Sequence, residues 1–321
     1  MKRRLSLVAT VLCCCLAFGA CANNQNHTQK DPSGTSIDRV KTKLDVLKPI
    51  AYSSVNGLSL EPGSYISIIG RYSDDSYWKE VEAGAKKAVA DLNAMLGYKG
   101  DKKIKLTYSA PEVRDDVNEQ VNILDEELSR EPIAIGIAAI DTTACTIQFD
   151  LAAENNIPII TFDSGSDYQH VASHIATDNI AATQTAATQL AYAIEEEGEV
   201  IVLVQDSLSM TAKQRLQGFL DTISSKFPKV TVAETYKFDQ LDTMREAIAN
   251  EKNAALAEGE QAVKADDLTQ DDVIQYLIEK HPNLKGIYAT NLDTTQAVAK
   301  VLKKMGKENL KFVGFDGGNE Q

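Results

Sequence analysis

The sequence predicts an α/β chain built from two lobes of doubly wound parallel sheet. Short apolar runs with almost no polar alternation recur along it, the pattern of strands covered on both faces. Between them lie segments whose apolar residues return every three or four positions, the stripe of a helix packed on a sheet. The alternation comes as two consecutive series within 321 residues, a length that suits two domains.

In the first series, 65–70 is a buried-strand run bounded by Gly63 and Gly70. From Trp78, apolar residues at Val81, Ala85, Ala88, Val89, Leu92 and Met95 mark a helix. A strand at 104–108 follows, then a helix through Val117, Val121, Leu124 and Leu128. Next come a strand at 133–140, a helix at 142–155, strands at 157–162 and 173–177, and a helix at 179–197. The second series holds strands at 200–204 and 230–236 and helices at 211–225 and 241–257. The stretch 258–272 is acidic and polar and reads as an exposed insertion. A helix at 273–280, a strand at 286–290, a helix at 294–305 and a strand at 310–315 close the pattern.

The chain begins with an export signal. Lys2-Arg3-Arg4 precede an apolar run over 5–18, shorter than the roughly 20 residues a membrane-spanning helix needs. Phe18-Gly19-Ala20-Cys21 resembles a lipoprotein cleavage site, which makes Cys21 the expected lipidation point and residues 1–20 the signal peptide. The alternative is an ordinary signal peptide with an incidental cysteine. Residues 21–63 read as a polar tether and lead-in, rich in Asn, Gln, Ser and Thr up to residue 36. Cys13, Cys14 and Cys15 leave with the signal, so Cys145 is the one expected unmodified thiol and no disulfide framework is possible.

Composition narrows the function. With 33 Lys and Arg against 46 Asp and Glu the net charge is −13, which argues against nucleic acid as a partner. Neither a Gly-x-Gly-x-x-Gly after the first strand, nor a Gly-x-Ser-x-Gly, nor a Cys or His metal spacing is present, so no enzyme, cofactor or metal is expected. In doubly wound sheets ligands bind outside the C-terminal strand ends. There the sequence places Asp74, Asp75, Tyr77 and Trp78, then Asp141, then Asp163; in the second series come Asp206, Phe238, Asn291 and Asp316. Carboxylates accept from paired hydroxyls, Arg donates in a fork, and flat rings cover the C–H faces of a sugar. The set suits a polyol. Each acidic residue also has a plainer role as a helix N-cap, the preferred one for Asp141.

The order and spacing of several segments resemble the type I periplasmic sugar-binding proteins, the ribose-binding group of ATP-binding-cassette importers. They are Tyr77-Trp78 ahead of Gly84-Ala85, the run from Asn155-Asn156-Ile157-Pro158 to Asp163, and Ser173-His174-Ile175-Ala176-Thr177-Asp178-Asn179. Arg215-Leu216-Gln217-Gly218-Phe219, His281-Pro282, Ala289-Thr290-Asn291 and Val313-Gly314-Phe315-Asp316-Gly317 complete the set, which spans residue 64 to the end. The resemblance implies a first lobe over 64–178 and a second over 179–321, joined by a hinge. It implies ligand contacts from Asp75, Tyr77, Trp78 and Asp163 in the first lobe and from Arg215, Phe238, Asn291 and Asp316 in the second. For Trp78 a place in the helix core, and for Arg215 a surface ion pair, are the alternatives. Asp75 stands where Asn is common, Ser164 where ribose binders have Arg, and Ala138 where they have Asn, which suits a larger, differently hydroxylated or amine-bearing sugar better than ribose.

The implied function is capture of a monosaccharide or polyol by hinge closure and delivery to a membrane permease, by a monomer anchored through Cys21 at the outer face of the cell membrane. Sensing for a chemoreceptor or membrane kinase is the alternative. A nicotinamide-dependent oxidoreductase lacks its glycine motif, and a repressor of the same fold needs a DNA-binding N-terminus where this chain has an export signal. Relatives of this type continue for several dozen residues after the strand that carries Asp316. The second lobe is therefore expected to be incomplete in this sequence, poorly stable and weak in binding.

Overall fold

A computed structural model describes Val55, residues 57–257 and residues 260–317. The signal segment, Cys21 and most of the tether lie outside the described residues.

The first sheet holds five parallel strands: β1 (Tyr65–Ile69), β2 (Lys105–Ser109), β3 (Ala134–Ile137), β4 (Ile159–Phe162) and β5 (Ser173–Ile175), in the order β2-β1-β3-β4-β5. The second holds β6 (Gly198–Val204), β7 (Val230–Lys237), β8 (Leu284–Ala289) and β9 (Lys311–Val313), all parallel, in the order β7-β6-β8-β9. In each sheet the order reverses at the first strand, β1 or β6. The C-terminal ends of β1 and β3, and of β6 and β8, therefore flank a crevice.

Eight α-helices cover the sheets among the described residues: α1 (Ser76–Leu96), α2 (Val117–Leu128), α3 (Thr146–Glu154), α4 (Asn179–Ala193), α5 (Met210–Lys226), α6 (Leu241–Ala254), α7 (Gln270–Lys280) and α8 (Leu292–Met305). The period-2 geometry of a strand sends neighbouring side chains to opposite faces, so an unbroken apolar run fills two cores at once. On β6, Val200, Val202 and Val204 join one core with Leu190, Phe219 and Tyr288. Ile201 and Leu203 join the other with Ile248, Ile274, Leu277 and Val298. In the first sheet Ile69, Ile135, Ile137 and Ile159 pack with Leu124 of α2 and Phe149 of α3.

Helices α4 and α5 approach closely because Gly218 has no side chain: a Cβ there would stand 3.1 Å from the Ile180 carbonyl oxygen. The close approach brings Arg215 of α5 to the first residue of α4.

Three expectations need correction. The stretch 258–272 is not simply an exposed insertion. Leu268 is buried, Val263 and Ala265 pack against the second-lobe core, and the Asn253 amide clasps both backbone groups of Val263 at 2.7 and 2.9 Å. Thr269 and Asp272 form a capping box that starts α7 at Gln270. Three apolar anchors spaced among many acids are outweighed in any reading by composition. Second, α3 starts at Thr146 and not at 142, since Asp141 Oδ1 accepts the N–H groups of Thr143 (2.7 Å) and Ala144 (2.8 Å) and holds a turn there. Third, β3 stops at Ile137, and residues 138–140 form a loop whose Ala139 N–H is taken by the Ser164 carbonyl at 3.0 Å.

Candidate functional site between the facing strand ends

The loop after β1 carries the first group of site residues. Asp75 caps α1, its Oδ1 accepting from the N–H of Tyr77 (2.8 Å) and Trp78 (3.4 Å), while its Oδ2 accepts from Arg114 at 2.9 Å. This cap sets the first turn so that Tyr77 and Trp78 project side by side, ring centroids 5.0 Å apart and nearly perpendicular. Trp78 is buried, edge-on to Phe162 at 6.4 Å, and Tyr77 is half exposed above it. Trp78 thus takes a place inside the first lobe, with the more exposed Tyr77 ring beside it.

The Tyr77 hydroxyl donates to Asp163 Oδ1 at 3.1 Å. Asp163, just past β4, has φ of 55°, a left-handed backbone rare for side-chain-bearing residues and best tolerated by Asp and Asn. Asp316, just past β9, has φ of 62°. The two lobes therefore end corresponding strands in the same strained way, and such strain concentrates at ligand sites. Burial raises the Asp163 carboxyl above its ordinary value; Arg71, the Tyr77 hydroxyl and Arg215 oppose the shift, and Asp316 adds to it. Burial and the Asp163 carboxylate likewise push the Tyr77 phenol up.

Arg215 is the hub of the second lobe. It is buried, donating from Nε to Asn179 Oδ1 (2.9 Å) and from Nη1 to the Thr290 carbonyl (2.8 Å) and Asp316 Oδ2 (2.8 Å), with its guanidinium 4.0 Å above the Phe315 ring. It is anchored inside the site, not paired across the surface of its helix. Asn291 caps α8 through a reciprocal box with Thr294 and lies in the strand-end loop beside Thr290. Phe238 opens a short 3-10 turn after β7 and packs against Tyr236, centroids 5.6 Å apart, on the second-lobe core.

The structure thus groups Tyr77, Trp78 and Asp163 in the first lobe and Arg215 and Asp316 in the second, places Asp75 and Asn291 at helix caps, and sets Phe238 against the apolar core. Arg215 and Asp316 of the second lobe are among the charges that act on Tyr77 and Asp163 of the first. Direct contacts also cross between them: Arg71 to Asp206 at 3.3 Å, Arg114 to Asp293 at 3.1 Å, and Lys213 Nζ to Thr142 Oγ1 at 2.7 Å.

Sequence reasoning missed several participants. Arg71 belongs to the strand-end loop after β1 but is not among the expected ligand contacts, and Arg114 lies in an unpatterned turn. Gln120, buried on α2, donates from Nε2 to the carbonyls of Gly70 (3.0 Å) and Ala138 (2.9 Å) and accepts the Ile140 N–H at 2.9 Å. It ties the ends of β1 and β3 together. A glutamine within an amphipathic stripe of Val117, Val121, Leu124 and Leu128 gives no local sign of this. Among the described residues no group of three or more His, Cys, Asp or Glu is placed to hold a metal ion, and no helix is long and apolar enough to cross a membrane.

Comparison with known proteins decides the family. Residues 66–321 match the family model of the periplasmic binding protein domain. The chain belongs to this family. It is a family of solute-binding proteins and not of enzymes, and the two parallel sheets give the chain its type I, doubly wound architecture. The Escherichia coli ribose import binding protein is 25% identical over 177 residues, 55% of this chain and 51% of that protein. The chain spans about half the length of the curated relatives it matches first. A carbohydrate transporter solute-binding protein from Agrobacterium radiobacter, solved in complex with D-arabinose, superposes with a TM-score of 0.63 at 27% identity, covering 80% of this chain and 77% of that one. A solute-binding protein from Agrobacterium vitis bound to α-D-tagatopyranose gives a TM-score of 0.61 at 26% identity, over 80% and 78% of the two chains.

Proposed function

We propose that this protein captures a monosaccharide or related polyol between its two lobes and delivers it to an ATP-binding-cassette permease. The observations that carry the proposal are two strand-end clusters, Asp163 with Tyr77 beside the Trp78 and Phe162 rings in the first lobe and Arg215 with Asp316 in the second, on lobes that touch through Arg71 and Asp206. Carboxylates accept from sugar hydroxyls, the guanidinium donates to them, and the Tyr77 ring offers a flat apolar face to the C–H side of the ligand. Asp75 and Asn291 contribute from the caps, and Phe238 supplies the second-lobe ring when the lobes close on the sugar. The relatives bound to D-arabinose and α-D-tagatopyranose support a small sugar as the ligand class.

The lobes of this reading are residues 64–178 and 179–321, hinged where β5 passes to α4. We further propose export and anchoring: cleavage before Cys21, lipid attachment to that cysteine, and a tether that holds a monomeric binding module off the outer face of the membrane. Ser164 and Ala138, in place of the Arg and Asn of the ribose pattern, direct the choice toward a sugar other than ribose.

A thermal-shift panel that includes D-ribose, D-arabinose, D-tagatose and amino sugars tests the proposal. At least one sugar is expected to raise the unfolding temperature and to change the fluorescence of Trp78, the single tryptophan, and Asp163→Asn is expected to abolish both responses. A flat response of folded protein across the whole panel would overturn the sugar reading.

A further inference from the structure

Arg71 is outside the set of sugar contacts that the family resemblance supplies, yet it is a buried cation at the junction of the lobes. Its Nη2 donates to Asp115 Oδ1 of the first lobe at 2.6 Å and to Asp206 Oδ2 of the second at 3.3 Å. The Asp206 side chain is 7% exposed and is fastened to the start of α5. Its Oδ1 accepts the N–H groups of Leu208 (2.9 Å) and Ser209 (2.7 Å), and its Oδ2 accepts the Ser209 hydroxyl at 2.9 Å. Ser209 in turn caps α5, the helix that carries Arg215. A continuous polar chain therefore runs from the end of β1 through Arg71, Asp206 and Ser209 to the helix holding the central arginine of the site.

We propose that Arg71 and Asp206 form a latch that sets the equilibrium of lobe closure and positions α5, with Arg215, over the first-lobe half of the site. Removing one member of a buried ion pair leaves the other charge desolvated. The Arg71–Asp206 contact exists only while the lobes touch; on separation Arg71 keeps Asp115 and Asp206 keeps its Leu208 and Ser209 donors. The free energy of the contact therefore acts on closure and not on the folding of either lobe. Salt screens the separated charges more than the buried pair, so it shifts the equilibrium toward separation. The Arg114–Asp293 pair crosses the same junction, but its side chains are 44% and 48% exposed, so it is the weaker contact. Met210, the first residue of α5, lies where a Cβ on Gly165 would come within 2.7 Å of its sulfur, so little slack separates the two surfaces.

Because the latch acts without ligand, its test is independent of which sugar binds. Small-angle X-ray scattering of the purified chain without sugar is measured at an ionic strength on the order of 0.01 M and at about 1 M, where the Debye length falls from roughly 30 to 3 Å. The wild type is expected to have the smaller radius of gyration at low salt. Arg71→Met and Asp206→Asn should each show the expanded value already at low salt and lose the salt response. The double variant should equal either single one, and Arg71→Lys should recover the compact low-salt form. The amide of Asp206→Asn keeps an acceptor for the Leu208 and Ser209 N–H groups, so this variant decides the matter even if Arg71→Met fails to fold. Lys79→Met, which breaks an exposed pair with Asp74 inside the first lobe, serves as the control. If folded Asp206→Asn scatters like the wild type at both salt concentrations, the latch does not exist.

Discussion

Asp163 combines an unfavourable environment with its proposed role in binding, and the two make opposite predictions. Its carboxyl is raised from the ordinary 3.8 chiefly by burial. A raised acid holds a proton in the folded chain at pH values where the unfolded chain has lost it. Stability therefore declines as pH climbs from the unfolded pKa through the folded one, and the penalty is complete above the folded value. Asp163→Asn removes that penalty and keeps the tolerance of a left-handed backbone. We expect it to raise the unfolding temperature at neutral pH, by about 2–4 °C for each ~1 kcal/mol relieved, and to lose that advantage in acid. The ionised carboxylate accepts more and stronger hydrogen bonds from sugar hydroxyls than the protonated acid, so affinity in the wild type should fall on acidification before the ordinary carboxylate range is reached; titration calorimetry across pH measures it. Cys145 offers a simpler check. Burial pushes its thiol to about 12, so a thiol reagent should leave it unmodified in the folded protein and react with it on unfolding. The candidates at this scale were legible wherever chemistry coincided with a strand end, as at Asp163 and Asp316. Arg71 and Gln120 were not, because nothing local marks a buried arginine or a glutamine that bridges two loops.

At the scale of elements, the strand ends are held in place by side chains from helices far along the chain. Gln120 satisfies three backbone groups at the ends of β1 and β3. Gln120→Met leaves them unpaired inside the lobe, at about 1–3 kcal/mol for each group that water cannot reach. Chemical denaturation should show a loss of about 3 kcal/mol or more, with sugar affinity reduced as the loop after β1 loosens. The apolar runs forecast the strands to within a few residues, since unbroken hydrophobicity is what a two-faced parallel sheet demands. The errors lay at ends and turns. There the Asp141 turn delayed the start of one helix, and the anchors Val263 and Leu268 tied down a segment whose acids suggested exposure.

For the whole molecule, separate cores predict separable transitions. Phe219 and Tyr288 stack in the second lobe with ring centroids 4.5 Å apart, both fully buried. Phe219→Ala should cost about 3–5 kcal/mol, and the loss should fall on the second lobe alone. Far-UV circular dichroism would then melt in two steps, while the fluorescence of Trp78, which reports the first lobe, keeps its wild-type midpoint. A single shifted transition seen by both probes would show that the lobes unfold as one unit.

The sequence by itself determined the α/β class, the succession of strands and helices, and the carboxylates and rings at the strand ends, because these follow from local apolar periodicity and from the rule that parallel sheets present their C-terminal ends to ligands. Only the tertiary structure decided which of those groups meet. Arg71 finds Asp115 44 residues away and Asp206 135 residues away, and Arg215 finds Asp316 101 residues away. Such partnerships depend on strand order and on two lobes facing each other, relations that no local spacing encodes.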